Sequence, residues 1–67
     1  MTNTIELADC ALDIANMTAE ADVREQLAYL AKSALQQAVA ANPFGDYSST
    51  EIRINELFDG LFESNAH

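Results

Sequence analysis

The stretch from Thr4 to Met17, TIELADCALDIANM, decides the fold because its charged residues are confined to one narrow strip. Glu6, Asp9 and Asp13 recur at steps of three and four, which is the spacing of a single α-helical face. At about 100° per residue these acids, together with Asn16 and Glu20 at the same spacing, cover roughly 80°, and apolar side chains fill nearly all of the remaining circumference. We call Glu6, Asp9 and Asp13 the acidic ridge. The pattern predicts a helix that displays ordered negative charge and needs apolar cover on its other sides.

The segment from Asp22 to Ala41 also has helical periodicity and predicts a second helix. No glycine or proline separates it from the first segment. If a single helix ran through both, the second apolar face would fall almost over the acidic ridge of the first. A tight turn between Thr18 and Asp22 removes this conflict, with either residue capping the second helix and Asp22 and Glu25 in capping-box spacing. The two segments therefore predict a helical hairpin.

Pro43 ends the second helix because it disfavours helical geometry before it and has no backbone N–H to donate. Residues 42–47 then form a loop. A third helix is expected over about residues 49–63, with Ser48 and Glu51 in capping-box spacing at its start. A glycine inside this segment, at position 60, is expected to weaken the helix without breaking it.

The predicted fold is all-α: a helical hairpin plus a third C-terminal helix, in a single domain spanning residues 1–67. A domain of this size buries only about 60% of its unfolded surface, so a homodimeric helical bundle is expected. Cys10 is the only cysteine, which excludes an internal disulfide, and it is expected to be a small buried residue. The residues expected in the core or dimer interface are Leu7, Leu12, Ile14, Leu27, Leu30, Leu35, Leu57, Phe58, Leu61 and Phe62.

The chain carries eleven acidic and three basic residues, for a net charge of −8. This charge argues against DNA, RNA or an anionic membrane as a direct ligand and favours a basic protein surface as the partner. The alternative is that the charge only keeps a small helical protein soluble. No leader, long apolar run or lipidation signal is evident, so a cytoplasmic location is expected.

The second helix has an almost uncharged outer side, which is typical of a contact surface in a protein that is otherwise highly charged. Tyr29 lies at its centre, where an exposed tyrosine would serve as an interface hot spot. The alternative is that its ring lies over a neighbouring helix or over the acids of the first helix. The predicted partner-binding residues are Asp22, Glu25, Gln26, Tyr29 and Ser33 of the second helix and Glu6, Asp9 and Asp13 of the first.

Four further residues have specific expectations attached to them. Phe44 and Tyr47 are expected to pin the loop to the core. Ile52 falls on an otherwise acidic face of the third helix and is a candidate contact with a partner or a second subunit. Arg24 lies near the start of the second helix, where it could reach Glu20 or a subunit across an interface.

Catalysis is not expected, because the sole histidine is the last residue, His67, the sole cysteine is expected to be buried, and no serine lies beside a plausible base. No cofactor is expected. The acids of the first helix point along one face without converging, which argues against a metal site. Their rise of roughly 4.5 to 6 Å is comparable with the charge spacing of a nucleic-acid strand, so the ridge could imitate phosphates.

The length, the acidic surplus and the hairpin implied by IELADCALDIANMTAEADVREQLAYLAKSALQQAVA resemble the small acidic helical inhibitors that bacteriophages make early in infection. Among these, the chain resembles a quorum-sensing anti-activator. The resemblance implies a homodimer in the host cytoplasm that grips the DNA-binding domain of a transcription activator and blocks promoter binding. The alternative hypothesis is a structural oligomerisation or assembly module, such as a small chaperone or antitoxin, that uses an apolar helical groove.

Overall fold

The computed structural model describes residues 4–65, with side chains described as far as Leu61, and it consists of three α-helices. These are α1 (Thr4–Met17), α2 (Ala21–Ala41) and α3 (Ser48–Asn65). The predicted all-α fold of a hairpin plus a third helix is confirmed, and the helix ends differ from the predicted ones by one or two residues. The predictions for the side chains of Phe62 and His67 lie outside the described residues.

The interface between α1 and α2 consists almost entirely of alanine. Methyl side chains allow two helix backbones to approach closely, which explains the tight hairpin. Leu12 is the one large side chain that is fully buried within the described part of the chain. α3 closes one side of the hairpin with Ile54, Leu57 and Leu61, and Leu27, Leu35 and Phe58 pack partly buried against this core. The buried hairpin alanines are Ala8, Ala11 and Ala15 of α1 and Ala28, Ala31, Ala34 and Ala38 of α2.

Four residues expected to be covered lie at the surface instead. Leu7, Ile14 and Leu30 are 45%, 44% and 47% exposed, so none of them belongs to the core of the single chain. Cys10 is also exposed, and its expected burial was wrong. The reason is geometric: the apolar arc of α1 is wider than the alanine interface with α2 can cover.

The turn between α1 and α2 is capped differently from the prediction. Glu20 is the N-cap of α2 but makes no side-chain capping hydrogen bond. Asp22 lies inside the first turn of α2, where its carboxylate interacts favourably with the positive end of the helix dipole. The Thr18 hydroxyl donates to the carbonyl of Ile14 at 2.7 Å, so Thr18 serves the end of α1 rather than the start of α2.

The connection from α2 to α3 is held by one of the two loop aromatics. The Tyr47 hydroxyl lies 3.0 Å from the carbonyl oxygen of Ala38 and 2.7 Å from that of Asn42, so it pins the loop to the end of α2 as expected. Phe44 is 97% exposed and pins nothing, so that prediction was wrong. Of the two aromatics, only Tyr47 therefore secures the loop; its hydroxyl bonds to carbonyls that also accept the backbone N–H groups of Asn42 and Gly45.

The start of α3 uses an aspartate rather than the predicted Ser48–Glu51 capping box. The backbone N–H of Ser48 donates to Asp46 Oδ1 at 3.2 Å, and the N–H of Glu51 donates to the carbonyl of Tyr47 at 2.9 Å. These hydrogen bonds with Ser48, first from its backbone and then from its side chain, lower the pKa of Asp46 below 3.8. α3 then continues unbroken through Gly60, as expected.

Candidate partner-binding surface

The acidic ridge of α1 faces α3, and two of its three acids are engaged there. Arg53 Nη1 lies 3.4 Å from Asp9 Oδ1, and Arg53 Nη2 lies 2.6 Å from Asp13 Oδ1. The hydroxyl of Thr50, a residue only 3% exposed, donates to Asp9 Oδ1 at 3.0 Å. We refer to Asp9, Asp13, Thr50 and Arg53 as the α1–α3 polar cluster.

This cluster corrects the prediction of a free acidic ridge. Asp9 is half-buried, and a single guanidinium offsets part of the charge of Asp9 and Asp13. Glu6 is exposed and forms no ion pair with another described residue. A continuous row of free charges that imitates phosphates is therefore not present on α1. The sequence contained one signal for this arrangement, since Arg53 is the only base after residue 45.

The outer side of α2 matches the predicted contact surface more closely. It lies opposite the alanines that pack against α1, because its residues fall roughly half a turn away from them around the helix. All five of its predicted partner-binding residues are exposed, and we call them the outer α2 face. They are Asp22, Glu25, Gln26, Tyr29 and Ser33.

Tyr29 is partly exposed and also packs against a neighbouring helix, so both alternatives predicted for it hold in part. Its ring meets that of Phe58 in α3 edge to face, with centroids 5.2 Å apart and an interplanar angle of 72°. The residue nevertheless remains 54% exposed. Phe58 packs against the core and also contacts the ammonium of Lys32, which lies 5.8 Å from its ring centroid. Phe58 therefore supports Tyr29 from below while leaving part of the tyrosine open to a partner.

An open groove between α2 and α3 runs alongside this ring pair. Tyr29, Lys32, Asn55, Phe58 and Asp59 line the groove. Its apolar floor is aromatic, and its carboxylate rim on α3 continues the negative charge of the outer α2 face. Sequence reasoning did not find the groove, because it depends on how α3 is placed against α2.

Two other predicted contact residues lie away from this surface. Ile52 is 55% exposed, and its position on α3 leaves it outside the outer α2 face. Arg24 forms no ion pair with Glu20 among the described residues, although its backbone N–H donates to the Glu20 carbonyl at 3.0 Å. Its buried Nε has no hydrogen-bond partner in the described part of the chain and lies at a cavity of about 150 Å³, which Arg53 also lines.

The described residues contain no group of three or more histidine, cysteine, aspartate or glutamate side chains placed to hold a metal ion. Within the same part of the chain, no helix is long and apolar enough to cross a membrane. No protein-family profile, curated protein or solved structure matches the chain. The candidate surface is accordingly interpreted from its own geometry and charge.

Proposed function

We propose that this chain is a non-enzymatic inhibitory binding protein that masks a basic, DNA-binding surface of a transcription regulator in the host cytoplasm. The outer α2 face is the contact surface, with Tyr29 as its central anchor. The observation that carries the proposal is the placement of Tyr29, which is 54% exposed although its ring is held by Phe58. The resemblance to phage-encoded anti-activators predicts a target of the same kind.

A supported aromatic ring is suited to binding because little conformational entropy remains to be lost when the partner arrives. Tyrosine presents a large apolar face and a hydroxyl that can hydrogen-bond, and it is enriched among the residues that dominate interface energetics. Gln26 and Ser33 beside it offer further hydrogen-bonding groups. The outer α2 face therefore has an anchor at its centre and polar residues around it, which is the usual anatomy of a protein interface.

The charge around Tyr29 selects a basic partner. Asp22 and Glu25 lie on the same face, Asp59 lies across the groove, and Lys32 is the one base near them. Their field adds to that of a chain whose net charge is −8, and this steers association with a positive surface. A protein bound to such a surface inhibits by occupying the lysines and arginines that DNA phosphates require.

An affinity capture tests the proposal in two steps. The tagged chain is incubated with bacterial lysate at low and moderate salt, and the retained proteins are identified by mass spectrometry. We expect a DNA-binding regulator that is lost as salt rises, because screening weakens contacts between exposed charges. With that regulator purified, Tyr29→Ala is expected to cost about 2 kcal/mol or more of binding free energy.

Ile52→Ala is the matched control, because Ile52 is as exposed as Tyr29 but lies on α3 outside the outer α2 face. Circular dichroism establishes that both variants are folded. Full affinity in the folded Tyr29→Ala variant, or a captured partner that resists salt, would contradict the proposal.

The second candidate is an assembly module whose apolar surface binds another protein. The exposure of Leu7, Ile14 and Leu30 favours it, because these side chains provide an apolar surface outside the core. It predicts a salt-resistant complex in which Leu30→Ala, and not Tyr29→Ala, lowers the affinity.

A further inference from the structure

In a stable core the large apolar side chains are buried, but in this hairpin the small side chains are buried and several large ones are exposed. Seven alanines lie between α1 and α2, whereas Leu7, Ile14, Met17, Val23 and Leu30 of the same two helices are between 39% and 80% exposed. Burying a large apolar side chain stabilises a protein far more than burying a methyl group. The hairpin therefore places its most hydrophobic residues where the single chain gains least from them.

Four of these large side chains, those of Leu7, Ile14, Val23 and Leu30, share one side of the hairpin. On α1, the carboxylates of Asp9 and Asp13 mark the side that contacts α3. Leu7 and Ile14 lie about 100° to 160° around the helix from these carboxylates. They therefore lie on the side of α1 that faces away from α3.

The same displacement holds on α2. The contacts of Tyr29 and Lys32 with Phe58 mark the side of α2 that faces α3. Val23 and Leu30 are displaced from them by about 100° to 180°. We call this surface, opposite α3, the hairpin face; it consists of Leu7, Ile14, Val23 and Leu30, with Cys10 at its edge.

We propose that the hairpin face is covered by the hairpin face of a second copy of this chain, giving a two-fold symmetric four-helix core with one α3 on each outer side. A surface that binds itself must be compatible with its own charge. None of these five side chains is charged, whereas the chain as a whole carries −8. Two copies of so acidic a protein repel each other, and a neutral apolar face is where they can meet at the lowest electrostatic cost.

The apolar side chains of the hairpin face supply about half of the area that a stable dimer buries. With roughly 150 to 200 Å² for a whole residue of this size, its four large side chains leave on the order of 300 Å² uncovered in each copy. Two facing copies then contribute about 600 Å² before Cys10 and the residues at the rim are counted, and stable interfaces begin at about 1,200 Å² in total. Gln37, exposed beside Leu30 around the helix, is placed to supply part of the rim.

This inference does not depend on the proposed function. Tyr29 lies about 100° around α2 from Leu30, so the outer α2 face stays accessible in the dimer. The dependence on salt concentration distinguishes the proposed dimer from the proposed complex with a basic partner. Screening is expected to maintain or strengthen contact between two acidic copies, whereas it weakens contact with a basic partner.

Sedimentation equilibrium of the full chain tests the dimer directly. We expect a mass twice that of the 7.3 kDa chain at micromolar concentrations. Leu30→Glu should raise the dimer dissociation constant by about 100-fold or more, because it places a charge in each half of a desolvated interface. Ile52→Glu adds the same charge at an equally exposed apolar position on α3 and should leave the dissociation constant within about threefold.

Cys10 provides a second measurement that requires no variant, because it is an exposed and unique thiol at the edge of the hairpin face. Its alkylation by a bulky maleimide should slow as the protein concentration rises through the range of dimer formation. A monomeric mass at all concentrations would overturn the proposal. So would a dimer whose Cys10 stays fully reactive, or one that Ile52→Glu disrupts and Leu30→Glu does not.

Discussion

Arg53 joins two helices that are distant in the sequence, since it pairs with both Asp9 and Asp13 of α1. The pairs are partly exposed, with 36% of the Arg53 side chain accessible, so solvent screens them and each contributes modestly. The buried hydroxyl of Thr50 adds a further hydrogen bond to Asp9. Together these contacts join α3 to α1 beside the buried Ile54, Leu57 and Leu61.

Arg53→Gln is expected to lower the free energy of unfolding by about 1 kcal/mol, because it leaves Asp9 half-buried without its cation. Lys32→Gln is the control for net charge, since it removes the same unit of charge and breaks no ion pair, only the 5.8 Å contact of the ammonium with the Phe58 ring. Urea denaturation at low salt measures both. An equal loss in the two variants would mean that the ion pairs add nothing beyond the change in net charge.

At the residue scale, the sequence predicted which residues share a helix face better than it predicted what covers that face. It placed Asp9 and Asp13 correctly on one narrow face of α1, but it did not predict that this face meets Arg53, which is 44 residues from Asp9 and 40 from Asp13 along the chain. Periodicity reports which residues share a side of a helix, and it carries no information about which neighbour lies opposite. The exposure of Cys10 was missed for the same reason.

At the element scale, α3 begins at a capping interaction that depends on ionisation. The pKa of the Asp46 carboxyl is lowered below 3.8 because the N–H of Ser48 donates to it. When the pKa of an acid is lower in the folded than in the unfolded state, its ionised form stabilises the fold. This stabilisation is complete above the pKa of the unfolded state and is lost as the pH falls through the pKa of the folded state. The contribution of Asp46 should therefore disappear below pH 3.8.

Asp46→Asn tests this expectation, because it retains an acceptor oxygen but cannot ionise. Melting temperatures of both proteins are compared from neutral pH to below pH 3.8. The native chain should melt at the higher temperature near neutrality, and the difference should close in acid. A difference independent of pH would show that the charge of Asp46 does not matter to the cap.

Substitution of alanine for each of two glycines is expected to change the stability of the fold in opposite directions. An added Cβ at Gly60 meets nothing within 4 Å, and the position lies inside α3, so Gly60→Ala is expected to stabilise the fold by about 0.5 to 1 kcal/mol. At Gly45 the added Cβ would lie 2.6 Å from the Tyr47 hydroxyl oxygen. Gly45→Ala should destabilise the fold because the tyrosine must move and give up its bonds to the end of α2. Thermal denaturation should therefore move in opposite directions; a shift in the same direction would contradict one of the two assignments.

The three helices themselves were predictable because their signals are local: apolar periodicity, Pro43, and the polar residues before α3. The core was not predictable to the same degree. α2 offers both leucines and alanines within one wide apolar arc, and the helices meet through Ala31 and Ala34 rather than through Leu30. Which part of a wide arc is buried depends on the helix separation, and that is a property of the pair of helices rather than of either one.

At the scale of the whole molecule, two surfaces with different chemistry lie on different sides. The outer α2 face is acidic and carries a supported tyrosine, whereas the hairpin face is uncharged and apolar. A chain that uses one for a basic partner and the other for a second copy can do both at once. The negative charge then has two consequences of opposite sign, since it favours the partner and opposes the fold and the dimer.

The second consequence is testable with the native chain alone. Eleven acids and three bases give a net charge of −8, so repulsion between exposed carboxylates outweighs the two ion pairs of Arg53. At a fixed protein concentration, raising sodium chloride from about 10 mM to about 500 mM should therefore raise the melting temperature, because the Debye length falls from about 30 Å to less than 5 Å. Calorimetry or circular dichroism measures the shift, and a lower melting temperature at high salt would show that the ion pairs outweigh the repulsion. If salt stabilises the fold, the expected loss of partner binding at the same salt cannot be attributed to unfolding, and it must come from contacts between opposite charges across the interface.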